Sequence, residues 1–199
     1  MKRIPDLDPA AMSAEQRTVY DAIASGPRKG VRGPLAVWLH RPELAQNAQA
    51  LGRYCRYDTM LPPRLSELAI LTLARIWGAE YEWYAHKPIA LDAGVSPEIA
   101  EAIRVGKTPH FDNADEGLIH EFIVTLHRDR KVSDALYTRA VTVLSAQGVV
   151  DLVGIAGYYT LISMTINVFE VPIPEGAPHA LADGLKFAAT AESASNAGA

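Results

Sequence analysis

The 199-residue chain has a single cysteine, Cys55, which excludes an intramolecular disulfide framework, a Cys-x-x-Cys redox pair and a cysteine-rich zinc site. Alternating strand patterns are nearly absent, and so are the Gly-rich phosphate loops and the Gly-x-Ser-x-Gly element of a serine nucleophile. A basic excess is also missing. Lys and Arg number 19 against 23 Asp and Glu, a formal charge of −4, so no nucleic-acid partner is expected. The run Arg128 to Lys131 reads as a solvated helix end. No apolar leader follows Met1-Lys2-Arg3, and a cytoplasmic location is the expectation. What is present is a chain 49% hydrophobic and 21% charged, long enough for one core that buries roughly 70% of the unfolded surface. One domain over residues 1–188 is expected, with a low-complexity Ala/Ser/Asn tail at 189–199. The apolar stretch Val149 to Phe169 is long enough to suggest a membrane span. It carries Asp151, Ser163 and Asn167 and lacks flanking basic anchors, so a buried core helix with no membrane partner is expected.

Helix signals run through the whole chain, and the fold class is all-α. Ser13 with Gln16 three residues on forms a capping box that opens a helix to about Ala24. Gly26 to Gly33 reads as a loop, and Pro42 starts a second helix. Pro62-Pro63 pre-sets the first turn of a third helix ending near Gly78, and a fourth follows from about Ala79 to Ala93, with Gly94 as its stop. Ser96-Pro97-Glu98 has the order N-cap, N1, N2 of a short fifth helix. Asp112 to Arg128 and Ser133 to Gln147 are amphipathic, and Gly148 is expected to divide the latter from the apolar helix.

The polar residues that fall on apolar stripes point to chemistry. Glu67 is the only acid on the third helix, and its helical neighbours include Ile70 and Leu71 as well as Arg64. A carboxylate there is costly unless paired or protonated. A surface pair with Arg64 is the plain alternative. Glu82 and His86, four apart, share a face with Ala79, Ile89, Ala90 and Ala93, which makes the pair an acid/base candidate. Pro88 deprives the Tyr84 carbonyl of its helical donor and is expected to kink the helix beside His86. On the apolar helix, Tyr159, Ser163 and Asn167 form one polar stripe. Ser163 can bond back to its preceding turn, whereas Tyr159 and Asn167 need partners and are candidate pocket walls. Glu116–His120 repeats the Glu-x-x-x-His spacing, with His127 a heptad on. Neither pair is a His-Glu-x-x-His or Glu-x-x-His site, and no metal is expected.

Ser66-Glu67-Leu68-Ala69-Ile70-Leu71-Thr72-Leu73-Ala74, Glu82-Trp83-Tyr84-Ala85-His86 and Ala93-Gly94-Val95-Ser96-Pro97 together resemble the carboxymuconolactone decarboxylase family. The resemblance is strong from Pro62 to Ile103, and the stretch from Gly148 through Tyr159 to Asn167 is similar to the family's closing helix. The family core would span about residues 34–172. The resemblance implies an all-helical fold, trimers or hexamers, and active sites near subunit interfaces. The family's peroxidase branch uses a Cys-x-x-Cys ahead of the histidine. Here those positions are Ala79 and Glu82, so the thiol mechanism is lost and the chain resembles the cysteine-free, decarboxylase-like members.

The expected reaction is a cofactor-free decarboxylation of a small carboxylated lactone or a related ring-cleavage acid. His86 suits the proton donor, Glu67 or Glu82 the group that orients it or relays the proton, and Arg64 the anchor for a substrate carboxylate. Isomerisation or lactone hydrolysis would use the same set. A helical oligomer that has lost the reaction is the alternative from another class.

Overall fold

Capping residues and prolines set most of the helix starts. The computed structural model describes residues 2–26, 29–181 and 184–185, and the tail at 189–199 lies outside them. Among the described residues there are eight α-helices and no strand. Helix α1 (Ala14–Ala24) opens on the capping box, Ser13 Oγ accepting from Gln16 N–H while the Gln16 side chain accepts from Ser13 N–H. Helix α2 (Pro34–Trp38) falls just beyond the expected loop. Its five residues are all buried, but one turn is too short for a periodic pattern to register. Helix α3 (Pro42–Arg53) runs directly into a π-turn, Tyr54–Asp58. Helices α4 (Pro63–Trp77), α5 (Glu80–Asp92), α6 (Pro97–Arg104), α7 (Ala114–Asp129) and α8 (Asp134–Phe169) complete the order.

Helix α4 is the centre. Every residue from Leu65 to Ile76 is buried, as expected of a helix that is apolar nearly all round, and α5, α6, α7 and α8 all pack on it. Its end is a Schellman-type stop: Gly78 takes the left-handed conformation (φ 61°) and Ala79 N–H donates to Ala74 O at 2.8 Å. That two-residue turn folds α5 back along α4 and brings Glu67 and His86 together. Helix α5 runs on through Pro88.

The division in the last helix falls at Ser145, not at Gly148. Ser145 leaves helical space (φ 68°, ψ 169°), and its Oγ accepts from Gly148 N–H at 3.3 Å, so it caps the second half. Gly148 lies inside that half, where a Cβ would meet Leu144 Cβ at 2.9 Å. The apolar half is long and apolar enough to cross a bilayer by length and composition, but only one face enters the core. Leu152, Ile155, Tyr159 and Ile162 are buried, while Val150 (70% exposed), Val153, Met164 and Val168 form an exposed apolar stripe. The core-helix expectation thus holds for one face.

Candidate functional site

The two anomalies of the sequence meet across the α4–α5 hairpin. His86 Nδ1 lies 2.7 Å from Glu67 Oε2, and His86 Nε2 lies 3.0 Å from Glu82 Oε1. All three residues are 4–5% exposed. Both carboxylates are acceptors only, so a ring that donates to both must carry both protons. Burial is the largest influence on the ring and disfavours its charge. The negative charge of Glu82 and the hydrogen bonds to Glu67 and Glu82 outweigh it, and the pKa rises to about 9. At neutral pH the centre is an imidazolium held between two carboxylates, with one net negative charge.

A cleft of about 220 Å³ opens onto one side of this triad. Glu82, His86 and Tyr159 line it, and Glu67 does not. The Nε2–Glu82 edge therefore faces the cleft, and Glu67 holds the ring from behind. Tyr159 meets the imidazole edge-on, ring centroids 5.3 Å apart at 84°. Burial, and next the charges of Glu82 and Glu67, push its phenol well above its ordinary value, so it stays a neutral O–H donor. No hydrogen bond engages that hydroxyl among the described residues, which leaves it available to a carbonyl in the cleft. The volume falls below the roughly 300–1,000 Å³ of sites for drug-sized ligands and suits a small molecule.

The other expected site residues are placed elsewhere. Arg64 is not at the cleft. Its guanidinium is held by Asp115 Oδ2 at 2.7 Å and Glu116 Oε1 at 2.6 Å, so it ties α4 to α7 rather than pairing with Glu67. Asn167 is exposed rather than a pocket wall. Its Nδ2 donates to Trp77 O at 2.7 Å and satisfies one of the open carbonyls at the end of α4. Ser163 makes no bond to its preceding turn: its Oγ is buried without a hydrogen-bond partner among the described residues. The second Glu-x-x-x-His pair is dispersed, Glu116 on Arg64 and His120 against the Phe111 ring. His127 is bonded to Ile123 O and Thr160 Oγ1.

Two cationic side chains at the cleft escaped the sequence reading. Arg56, half-buried, comes from the π-turn, and Arg32, exposed, from the loop before α2. Tyr57 and Tyr81 complete the upper walls. The π-turn is the signal for Arg56, because single π-turns recur at functional sites, but it is visible only in the fold. Gly33 (φ 59°) lets the loop approach α5 closely: a Cβ there would lie 2.4 Å from the Tyr81 ring.

Residues 42–118 match the model of the Carboxymuconolactone decarboxylase family. No curated protein matches the chain. Among solved structures, the chain is similar to an alkylhydroperoxidase AhpD core, an uncharacterized peroxidase-related protein from Ralstonia eutropha JMP134. The TM-score is 0.73 and the identity 15%, over 87% of this chain and 93% of that one. It is also similar to an uncharacterized peroxidase-related protein from Silicibacter sp. TM1040, with TM-score 0.69 and 13% identity, over 86% and 91% of the two chains. At these identities the likeness is one of fold.

Proposed function

We propose, from the family-model match over residues 42–118 and the likeness of fold to AhpD-like structures, that the chain is a carboxymuconolactone decarboxylase-like protein and a cofactor-free lyase acting on a small carboxylated lactone or a related acid. The observation that carries this reading is the buried His86 ring clamped between Glu67 and Glu82 at the floor of a small cleft. In such a substrate the carboxylate sits on a saturated carbon joined to the lactone carbonyl through a carbon-carbon double bond, the vinylogous counterpart of a β-keto acid. The bond to the carboxyl carbon breaks, carbon dioxide leaves, and the electron pair moves into the conjugated carbonyl as a dienolate. Tyr159 donates to the developing oxyanion. The proton from the Nε2 edge of His86, passed directly or through Glu82, then forms the new C–H bond, and solvent restores it. The test is a screen of carboxylated lactones and unsaturated acids for carbon dioxide release. A rate that disappears with His86→Gln supports the reading, and none across the series overturns it.

The fold neighbours are named peroxidase-related, but the chemistry of this chain does not favour a thiol route. Cys55 is fully buried and is not part of the cleft lining. Burial, with Asp151 second, pushes its thiol up to about 11, and the sequence holds no second cysteine to resolve an oxidised sulfur. Cys55→Ala is therefore expected to leave turnover within about twofold of the parent, with a stability loss of about 1–2 kcal/mol for a small buried side chain. Peroxide turnover that needs Cys55 and a dithiol would reverse the assignment.

Self-association belongs to the same reading. Helix α4 is covered within the chain and leaves no apolar surplus, but the α8 stripe of Val150, Val153, Met164 and Val168 is uncharged and open. A second copy of the chain, in a trimer or hexamer, is the proposed cover. Light scattering is expected to give a multiple of 21.6 kDa, and Val150→Glu with Val153→Glu to reduce it. A monomer at micromolar concentration would overturn the assembly.

A further inference from the structure

We infer that Arg56 holds the carboxylate of the bound substrate and so fixes which acids the cleft accepts. This rests on the reading of the cleft as the reaction site. Two carboxylates and one imidazolium leave the floor negative, so an anionic substrate is repelled at its reacting end and needs a cation at the opposite wall. Arg56 and Arg32 both line the cleft. Arg32 is exposed, and among the described residues its hydrogen bond goes to a backbone carbonyl, Lys29 O, at 3.4 Å. Arg56 is half-buried, stacks over the Tyr57 ring at 5.3 Å and has no carboxylate partner among the described residues.

Several other arginines are already engaged by acids. Arg53, on the turn before, lies 3.4 Å from Asp58; Arg64 holds two acids of α7; Arg104 and Arg139 are paired with Glu101 and Glu121. A half-buried guanidinium stacked on an aromatic face is already oriented, so it loses little freedom when a carboxylate forms the two parallel hydrogen bonds that suit it. Its charge also reaches the active centre, where it is the opposing influence on the Tyr159 phenol. The π-turn is the device that makes this possible. The wider turn at Tyr54–Asp58 presents Arg56 and Tyr57 to the cleft while Cys55 enters the core.

Benzoate and its neutral isostere benzamide are suitable probes, since neither can react and both are small and flat. Titration of the full-length wild-type protein by NMR or calorimetry is expected to show benzoate binding at least tenfold tighter than benzamide, with the difference shrinking as salt is raised. Arg56→Met should weaken benzoate tenfold to a hundredfold, down to the benzamide level, and leave benzamide unchanged. Arg56→Lys should retain part of the preference, and Arg139→Met should change nothing. Because Arg56 forms no ion pair among the described residues, Arg56→Met is expected to melt within a few degrees of the parent, and Arg56→Gln offers a second variant if it does not. Unchanged benzoate affinity in both variants, equal binding of the two probes, or no wild-type affinity for benzoate at tens of millimolar overturns the proposal. The two readings fail separately. Benzoate held through Arg56 without any His86-dependent turnover keeps the anchor and removes the reaction. His86-dependent turnover with an unaltered KM in Arg56→Met does the opposite.

Discussion

His86→Gln is expected to lower kcat by roughly 10² to 10⁴, the usual range for loss of a general acid, on whichever carboxylated substrate the screen identifies. The amide can keep a hydrogen bond to one carboxylate, but it has no transferable proton at neutral pH. His86→Ala removes more than the proton, because it leaves Glu67 and Glu82 facing one another without the cation that joins them. Breaking a buried pair in that way costs on the order of 3–5 kcal/mol, so some of the alanine variant's loss will be unfolding. Melting temperature and light scattering beside kcat separate the two effects. A folded, normally assembled His86→Gln protein with near-parental kcat would remove His86 from the mechanism and leave the triad as a structural clamp.

The triad was legible because its members break a rule that a helix period makes visible. Glu67 among Ile70 and Leu71, and Glu82 with His86 on an alanine-rich face, are polar groups where burial is costly, and the structure buries all three. Helix starts at Ser13, Pro42, Pro63 and Ser96 were legible for a similar reason: a serine cap or a proline in the first turn acts within four residues of itself. What the sequence concealed depends on distant or irregular contacts. Arg64 looks free one turn before Glu67, yet its partners Asp115 and Glu116 stand some fifty positions along the chain. Asn167 lies on the right helix, but it serves the Trp77 carbonyl ninety positions back. Arg56 lies outside any 3.6-residue register, because a π-turn shifts every side chain after it. Ser145 broke the long helix where Gly148 was expected to, since a serine cap in an unusual φ carries no stronger local signature than a glycine.

The geometry separates the two carboxylates that the sequence left equivalent, and this gives the second large expectation. Glu82 lines the cleft and Glu67 does not, so in the proposed mechanism Glu82 meets the substrate side of the ring and Glu67 acts through His86 as a positioning residue. Glu82→Gln is expected to reduce kcat by roughly 10² even at pH 6, as removal of a proton relay does, and also to move the alkaline limb down, because the Glu82 charge is the foremost influence raising the ring's pKa. Glu67→Gln should act mainly on the pH profile. In the parent, His86 has a pKa of about 9 against an ordinary value of 6.5, so the donor is loaded below 9 and kcat falls as pH rises through it. Removing the Glu67 charge lowers that pKa, and the alkaline limb moves down towards neutrality while kcat at pH 6 stays within a few fold. Stability obeys the same sign. Between 6.5 and 9 the folded protein holds a proton that the unfolded chain releases, so the stabilisation is complete below 6.5 and lost as pH climbs to 9. At 1.36 kcal/mol per pKa unit, this amounts to about 3 kcal/mol in the parent, seen as a falling melting temperature over that window. In Glu67→Gln the fall should be smaller and should end at lower pH. A parent whose melting temperature and kcat are both flat from pH 6.5 to 9.5 would show that the ring is neutral in the fold, and His86 would then be no donor.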